Sequence, residues 1–307
     1  MSASTTMPAQ PHNSTSVASP LTPVIPMTLC VLGQGAWGSA LAHLAKVNGH
    51  KVQSWSRRGD VALKDAIAHA DVILSAISMK GVASLADQLG QLTLPDSAIL
   101  VTATKGLDPA TTRTPSQIFT AAFPSHAVAV LSGPNLSQEI DQGLPAATVL
   151  ASTNADAART VQELFSSEQF RVYTSEDPLG AELGGTLKNV MAIAVGVCGG
   201  WNLGTSARSA LVSRALPGVI RIGMQLGAAD VETFYGLSGL GDMLATCSSS
   251  LSRIYRVGFG LAQGMTLEQV LHSVGGTAEG VNTTHVLIEI ANREALSAPI
   301  SRQVDRL

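Results

Sequence analysis

The apolar run Met27-Thr-Leu-Cys-Val-Leu32 stops abruptly at Gly33-Gln-Gly35-Ala-Trp37-Gly38, and Ser39-Ala-Leu-Ala-His-Leu-Ala follows at once. The first piece reads as a buried strand and the last as a helix. Three glycines at this spacing constrain the chain more than any other feature. The first permits a tight turn, the second lets the backbone approach a pyrophosphate, and the third lets helix and strand pack closely. The amides and positive dipole end of the helix then face the phosphates. A glycine-rich turn without a ligand is the plainer alternative. The order strand, glycines, helix favours dinucleotide binding by Gly33, Gly35 and Gly38, with Trp37 in the same turn.

The second strand is Lys51-Val-Gln-Ser-Trp-Ser56, followed by Arg57 and Arg58. An NAD site places an acid here for the ribose 2′-hydroxyl, whereas arginine accommodates the 2′-phosphate of NADP. The pair therefore favours NADP(H) over NAD(H), against the simpler view of two solvated surface arginines.

Three further apolar runs, Asp71-Val-Ile-Leu-Ser-Ala-Ile77, Ala98-Ile-Leu-Val-Thr-Ala103 and Ala127-Val-Ala-Val-Leu131, each give way to polar residues or glycine. That is the pattern of a parallel sheet covered on both faces, in which ligands lie beyond the carboxyl ends of the strands. Those ends carry Ser78-Met-Lys80, Thr104-Lys105-Gly106 and Ser132-Gly133-Pro134-Asn135. Lys105 is a candidate for a phosphate or a carbonyl oxygen, Gly133 for close backbone approach, and Asn135 for an amide hydrogen bond. Surface loops use the same residue types. Two more strands are expected at residues 146–151 and 170–173, with a helix near 156–166 between them.

The length of 307 residues implies about two domains. The expected division is a tail over residues 1–26, a Rossmann-type doubly wound parallel sheet over 27–177, and an all-helical domain over 178–307. The tail is rich in Ser, Thr and Pro, contains no Lys or Arg, and is expected to be disordered. A net charge of −3 without a basic stripe argues against a nucleic-acid partner. The cysteines Cys30, Cys198 and Cys247 fit neither a disulfide framework nor a metal site, as expected in a reducing cytoplasm. Glycines, arginines and serines interrupt every apolar run, so no membrane span is expected.

In the second half, Asp177-Pro178 reads as an N-cap and first helical residue. The following stretch, from Gly180 to Val197, is apolar on nearly every face, which implies a buried helix. Lys188 lies within it, one turn after Gly184 and Gly185. These glycines are expected to leave a hollow in which a ligand could lie. Burial would lower the lysine pKa and make it a proton donor near neutrality. A lysine that snorkels to water fits the segment equally well. Gly239-Leu-Gly-Asp242 ends a glycine turn in a carboxylate that can serve a site or simply cap a helix. Ser252-Arg253 is suited to grip a phosphate. Glu279 stands between a small residue and a glycine, without a role legible from spacing.

Together, Gly33-Gln-Gly-Ala-Trp-Gly38, Lys105-Gly-Leu, Ser132-Gly-Pro-Asn, Glu182-Leu-Gly-Gly-Thr-Leu-Lys-Asn-Val190, Gly239-Leu-Gly-Asp242 and Ser252-Arg253 resemble the bacterial-type NAD(P)-dependent glycerol-3-phosphate dehydrogenases over roughly residues 27–300. The resemblance implies reversible reduction of dihydroxyacetone phosphate to sn-glycerol 3-phosphate, at the head of glycerophospholipid synthesis, by a cytoplasmic homodimer. By the same resemblance Lys188 exchanges the proton, and Asp242 holds the substrate and orients Lys188. Lys105 touches substrate and cofactor. Gly133, Asn135, Ser252, Arg253 and the residue at 254 line the substrate site. Trp37, Arg57, Arg58, Ser137, Arg253 and Glu279 contact the cofactor.

The chain departs from the family pattern in a short connection after Arg58, in Ile254 where asparagine is common, and in Ser137 where alanine is common. It also stops at Leu307, so a C-terminally truncated helical domain is expected. The rival readings are a related dehydrogenase of β-hydroxyacids or phosphorylated sugar acids, and an NADP(H)-binding sensor without activity. Asp242 and Ser252-Arg253 favour the first reading over the second, and the retained Lys188 and Asp242 favour it over the third.

Overall fold

The computed structural model describes residues 25–275 and 279–307. Of the tail expected over residues 1–26, all but Ile25 and Pro26 lies outside the described residues, as does Ala278 beside Glu279. Seven strands, β1 (Thr28–Leu32), β2 (Lys51–Trp55), β3 (Val72–Ser75), β4 (Ile99–Thr102), β5 (Val128–Ser132), β6 (Ala146–Ala151) and β7 (Phe170–Ser175), form one sheet in the order β2-β1-β3-β4-β5-β6-β7. Between them run α1 (Ala36–Val47), α2 (Leu63–Ile67), α3 (Val82–Gly90), α4 (Pro115–Ala122), α5 (Ser137–Asp141) and α6 (Ala155–Phe165).

Alternation along β1 shows why the inner strands are mainly apolar. Leu29 and Val31 pack with α1 and α6 on one face, while Cys30 and Leu32 pack with α2, α3 and α4 on the other. Both faces are buried there, so the inner strands β1, β3, β4 and β5 are mainly apolar, whereas the edge strands β2 and β7 carry exposed polar residues such as Lys51 and Arg171. The expected all-parallel sheet needs one correction, because β6 runs antiparallel to β5. The chain returns from β5 through the five-residue helix α5 and pairs antiparallel beside it; an apolar run buried on both faces fits either direction, so the pairing decides. From β1 the chain goes to β2 on one side and then crosses to β3 on the other. This places a topological switch at the carboxyl ends of β1 and β3.

After β7 the described chain is helical: α7 (Pro178–Gly200), α8 (Gly204–Gln225), α9 (Glu232–Tyr235), α10 (Asp242–Ser248), α11 (Arg253–Ala262), α12 (Leu267–Val274), α13 (Glu279–Arg293) and α14 (Pro299–Val304). A π-helical turn, Leu237–Gly241, leads into α10. Asp177 caps α7 as its sequence implies, with Oδ1 accepting from the amide of Gly180 at 2.8 Å and Pro178 in the first turn.

The expectation that no run is long and apolar enough to span a membrane also needs correction, since α7 has 23 residues and meets that criterion. Its most apolar stretch is 78 % buried, however, by protein. The helices α8, α10, α11 and α13 and the strand β5 pack around it. It is the core helix of the second domain and reaches the sheet of the first.

Candidate active site

The switch point opens into a cavity of about 530 Å³ between the sheet and the helical domain. The glycine turn forms one wall. Gly33 has φ +119°, a left-handed-side conformation that favours glycine. A Cβ on Gly38 would lie 2.0 Å from the carbonyl oxygen of Gly33, so only glycine lets α1 start this close to β1. A Cβ on Gly35 would meet nothing within 4 Å. Helix α1 begins there without a side-chain cap and without an acid in its first turn. The result is an open cradle of amides at a helix N-terminus, which fits the pyrophosphate of a dinucleotide.

The opposite wall is ionic. Lys188, with only 5 % exposure, projects from α7 to Asp242 at the start of α10, where Nζ and Oδ1 are 3.0 Å apart. Lys105, from the loop after β4, meets Oδ2 of the same carboxylate at 2.5 Å and approaches the carbonyl oxygen of Gly133 at 3.4 Å. Asp242 is therefore no helix cap. It is a buried carboxylate bridging two ammonium groups. Thr246, one turn further along α10, accepts a hydrogen bond from Lys188 and donates to Asp242 Oδ1 at 3.3 Å.

Burial pushes the Lys188 pKa down to about 8. The positive charge of Lys105 acts in the same direction, and Asp242 opposes both. The alternative of a snorkelling lysine is excluded by its burial.

The two glycines before Lys188 have a different use from the one expected. A Cβ on Gly185 would lie 2.5 Å from Ser132 Oγ and 3.2 Å from Lys105 Cε. One on Gly184 would lie 3.0 Å from the carbonyl oxygen of Ser238 in the π-helical turn. Protein fills the space expected to form a ligand hollow. What the missing side chains admit is the stem of Lys105 and the turn that presents Asp242.

The remaining candidates divide by position. Trp37, Asn135, Ser137, Ser252, Arg253, Ile254 and Glu279 line the cavity with Gly35, Lys105, Lys188 and Asp242. Asn135 is held by Ala147 O at 3.0 Å and by the Thr148 hydroxyl at 2.9 Å. Ser252 caps α11 by accepting from the amide of Tyr255 at 3.2 Å, which leaves Arg253 exposed at the helix start. Glu279 accepts from the amide of Met79 at 3.3 Å, reaching from α13 to the sheet domain. Gly33, Gly38 and Gly133 support the wall from behind. Arg57 and Arg58 are exposed beyond the carboxyl end of β2, outside the cavity lining.

Among the lining residues with no role assigned from the sequence are the polar Thr246 and Asn189. Thr246 had a usable signal, because four residues from Asp242 on a helix is the same face. Asn189, which also lines the cavity, adjoins Lys188 in a motif whose spacing gives it no separate role.

Known proteins resemble this chain along both of its halves. Residues 177–307 match the NAD-dependent glycerol-3-phosphate dehydrogenase C-terminus family, and residues 28–64 and 59–158 match the corresponding N-terminus family. A glycerol-3-phosphate dehydrogenase [NAD(P)+] of Acaryochloris marina is 62 % identical over 279 residues, covering 91 % of this chain and 90 % of the relative. One from a Synechocystis species is 62 % identical over 282 residues, covering 92 % and 89 %. The crystal structure of glycerol-3-phosphate dehydrogenase from Coxiella burnetii superposes with a TM-score of 0.87 at 30 % identity, covering 92 % of this chain and 94 % of that one. With the dinucleotide cradle, the buried lysine–aspartate–lysine group and both halves of the family accounted for along one chain, this protein belongs to the NAD(P)-dependent glycerol-3-phosphate dehydrogenase family.

Proposed function

We propose that this chain reduces dihydroxyacetone phosphate to sn-glycerol 3-phosphate, reversibly, with Lys188 as the group that gives and takes the proton. The reading is carried by one observation: Lys188, Asp242 and Lys105 meet, largely out of water, at the floor of the cavity. A nicotinamide cofactor held at the Gly33, Gly35 and Gly38 turn would supply the hydride for carbon 2. As that carbon is reduced, its oxygen gains negative charge and takes a proton from the Lys188 ammonium. Asp242 keeps Lys188 aimed, and Lys105 adds a second positive charge where the oxyanion develops.

The substrate phosphate is assigned to the start of α11. There Ser252, Arg253 and the positive end of the helix offer charge-assisted and dipolar binding. Ile254 contributes an apolar wall where a relative with asparagine would offer a hydrogen bond. Asn135 and Gly133 complete the substrate side. Gly33, Gly35, Trp37, Gly38, Ser137 and Glu279 are assigned to the cofactor, which residues 27–177 hold against the substrate-binding domain of residues 178–307. Arg57 and Arg58 favour NADP(H) over NAD(H), because no acid takes the 2′-hydroxyl position after β2.

The unpaired cysteines, of which Cys30 and Cys247 are buried, support work in a reducing cytoplasm. Exposed Trp201, Leu203, Tyr235 and Leu244 support a homodimer formed through the helical domain. Sedimentation equilibrium tests that assignment, and a monomer at micromolar concentration would refute it. The activity itself is tested by following NADPH consumption with dihydroxyacetone phosphate. Cofactor binding without turnover of this substrate would refute the reading.

A further inference from the structure

The loop that carries Lys105 is tied to the sheet domain by Thr104, whose hydroxyl donates to the Ile77 carbonyl at 2.8 Å, and it has further anchors on α7. Near its start, the buried amide of Gly106 donates to Thr186 Oγ1 at 3.1 Å. The next residue, Leu107, is 2 % exposed and packs in the helical core with Leu183 and Leu187 of α7. Beyond the far end of the loop, Ser116 in the first turn of α4 donates twice to Glu182. Its amide reaches Oε1 at 3.0 Å, and its hydroxyl reaches Oε2 at 2.5 Å.

Glu182 is 1 % exposed, and a carboxylate that far from water is normally costly. It lies outside the cavity and contacts neither Lys105 nor Asp242. Glu182 and Thr186 are four residues apart on one helix, so they share a face. Gly185 beside them receives the stem of Lys105. The same rigid helix therefore carries Lys188 and grips both ends of the loop that delivers Lys105.

We propose that Glu182 and Thr186 are positioning residues that set where Lys105 stands relative to Asp242 and Lys188. This rests on the functional reading given above. Neither residue touches reacting atoms, and both act through Lys105. A displacement of about 1 Å at a reacting centre can lower the rate about 10²-fold, so the hold of α7 on this loop is a determinant of catalysis.

The test is a double-mutant cycle in the full-length protein with NADPH and dihydroxyacetone phosphate. Glu182→Leu leaves the Ser116 amide without its acceptor, and Thr186→Val does the same to the Gly106 amide. Each is made alone and in combination with Lys105→Ala. Each single variant is expected to lower kcat/KM for dihydroxyacetone phosphate about 10- to 100-fold. In the Lys105→Ala background the same changes should add no more than about twofold, because the group they act through is gone. Glu182→Gln retains an oxygen acceptor and a donor for the Ser116 hydroxyl, and should stay within about threefold of wild type.

An undiminished loss in the Lys105→Ala background overturns the proposal, as does a fully active Thr186→Val. If Glu182→Leu does not fold, Thr186→Val and its combination decide. Wild-type turnover is read first, since its absence overturns the functional reading instead. In that event the loop is read by amide exchange over residues 103–116. Exchange about tenfold faster in Thr186→Val supports the hold of α7, and unchanged exchange overturns it.

Discussion

Lys188 and Asp242 face each other at 3.0 Å with side chains 6 % and 4 % exposed, and the other oxygen of the same carboxylate binds Lys105. One carboxylate thus sits between two ammonium groups, and the cluster keeps a positive balance when both lysines are charged. Such a site favours an anion and stabilises negative charge forming on a substrate oxygen. It also gives each member a measurable consequence.

Replacing Asp242 with Asn removes the charge that favours protonated Lys188 while Lys105 continues to disfavour it. A hydrogen bond to a charged group contributes about 1.5–3 kcal/mol. Asp242→Asn should therefore lower kcat/KM for ketone reduction about 10- to 100-fold and move its alkaline limb to lower pH. Rate measurements from pH 6 to 10 check both, and an unmoved limb would separate Asp242 from the proton donor.

The wild-type pH dependence has a definite sign. Reduction needs the Lys188 ammonium, whose pKa is lowered to about 8 by burial. In this direction kcat/KM should be level below that value and fall tenfold per pH unit well above it. Oxidation of glycerol 3-phosphate needs the neutral amine and should rise through the same region. Parallel profiles in the two directions would exclude Lys188 as the titrating group.

Arg57 and Arg58 lie exposed just past β2, where an adenosine 2′-phosphate would need cationic partners. Replacing both with Ala should reduce the ratio of kcat/KM for NADPH to that for NADH about 10- to 100-fold, the value of one or two charge-assisted bonds. A ratio unchanged in steady-state kinetics with both cofactors would show the arginines to be surface charge.

Gly185→Ala places a methyl group 2.5 Å from Ser132 Oγ and 3.2 Å from Lys105 Cε. Overpacking of this kind costs about 1–3 kcal/mol, which the urea midpoint of unfolding reads. The same substitution should lower kcat, because the stem of Lys105 is one of the two groups that must move.

Much of this arrangement was legible in the sequence, and the exceptions share a cause. The turn at Gly33-Gln-Gly35 announces itself because glycine spacing, strand and helix are all local. Asp177-Pro178 does so because a cap and its helix are adjacent. The direction of β6 is not local. Ala146–Ala151 is an apolar run that fits a buried strand whichever way it points, and its pairing with β5 decides. Gly184 and Gly185 mark a close approach without naming what approaches; only the packing identifies Ser238, Ser132 and Lys105. The apolar helix α7 satisfies the composition of a membrane span and of a core helix alike, and the elements around it distinguish the two. Glu182 stood inside a recognised motif, but its partner Ser116 lies 66 residues away, beyond the reach of any periodicity.

The most direct measurement is NADPH oxidation at saturating dihydroxyacetone phosphate, comparing wild type with Lys188→Ala and measuring NADPH binding in both. Loss of a positioned proton donor lowers turnover about 10²–10⁴-fold, with cofactor affinity retained because the cradle at Gly35 is untouched. That result supports Lys188 as the group that delivers the proton. A Lys188→Ala enzyme turning over within about threefold of wild type would contradict the account.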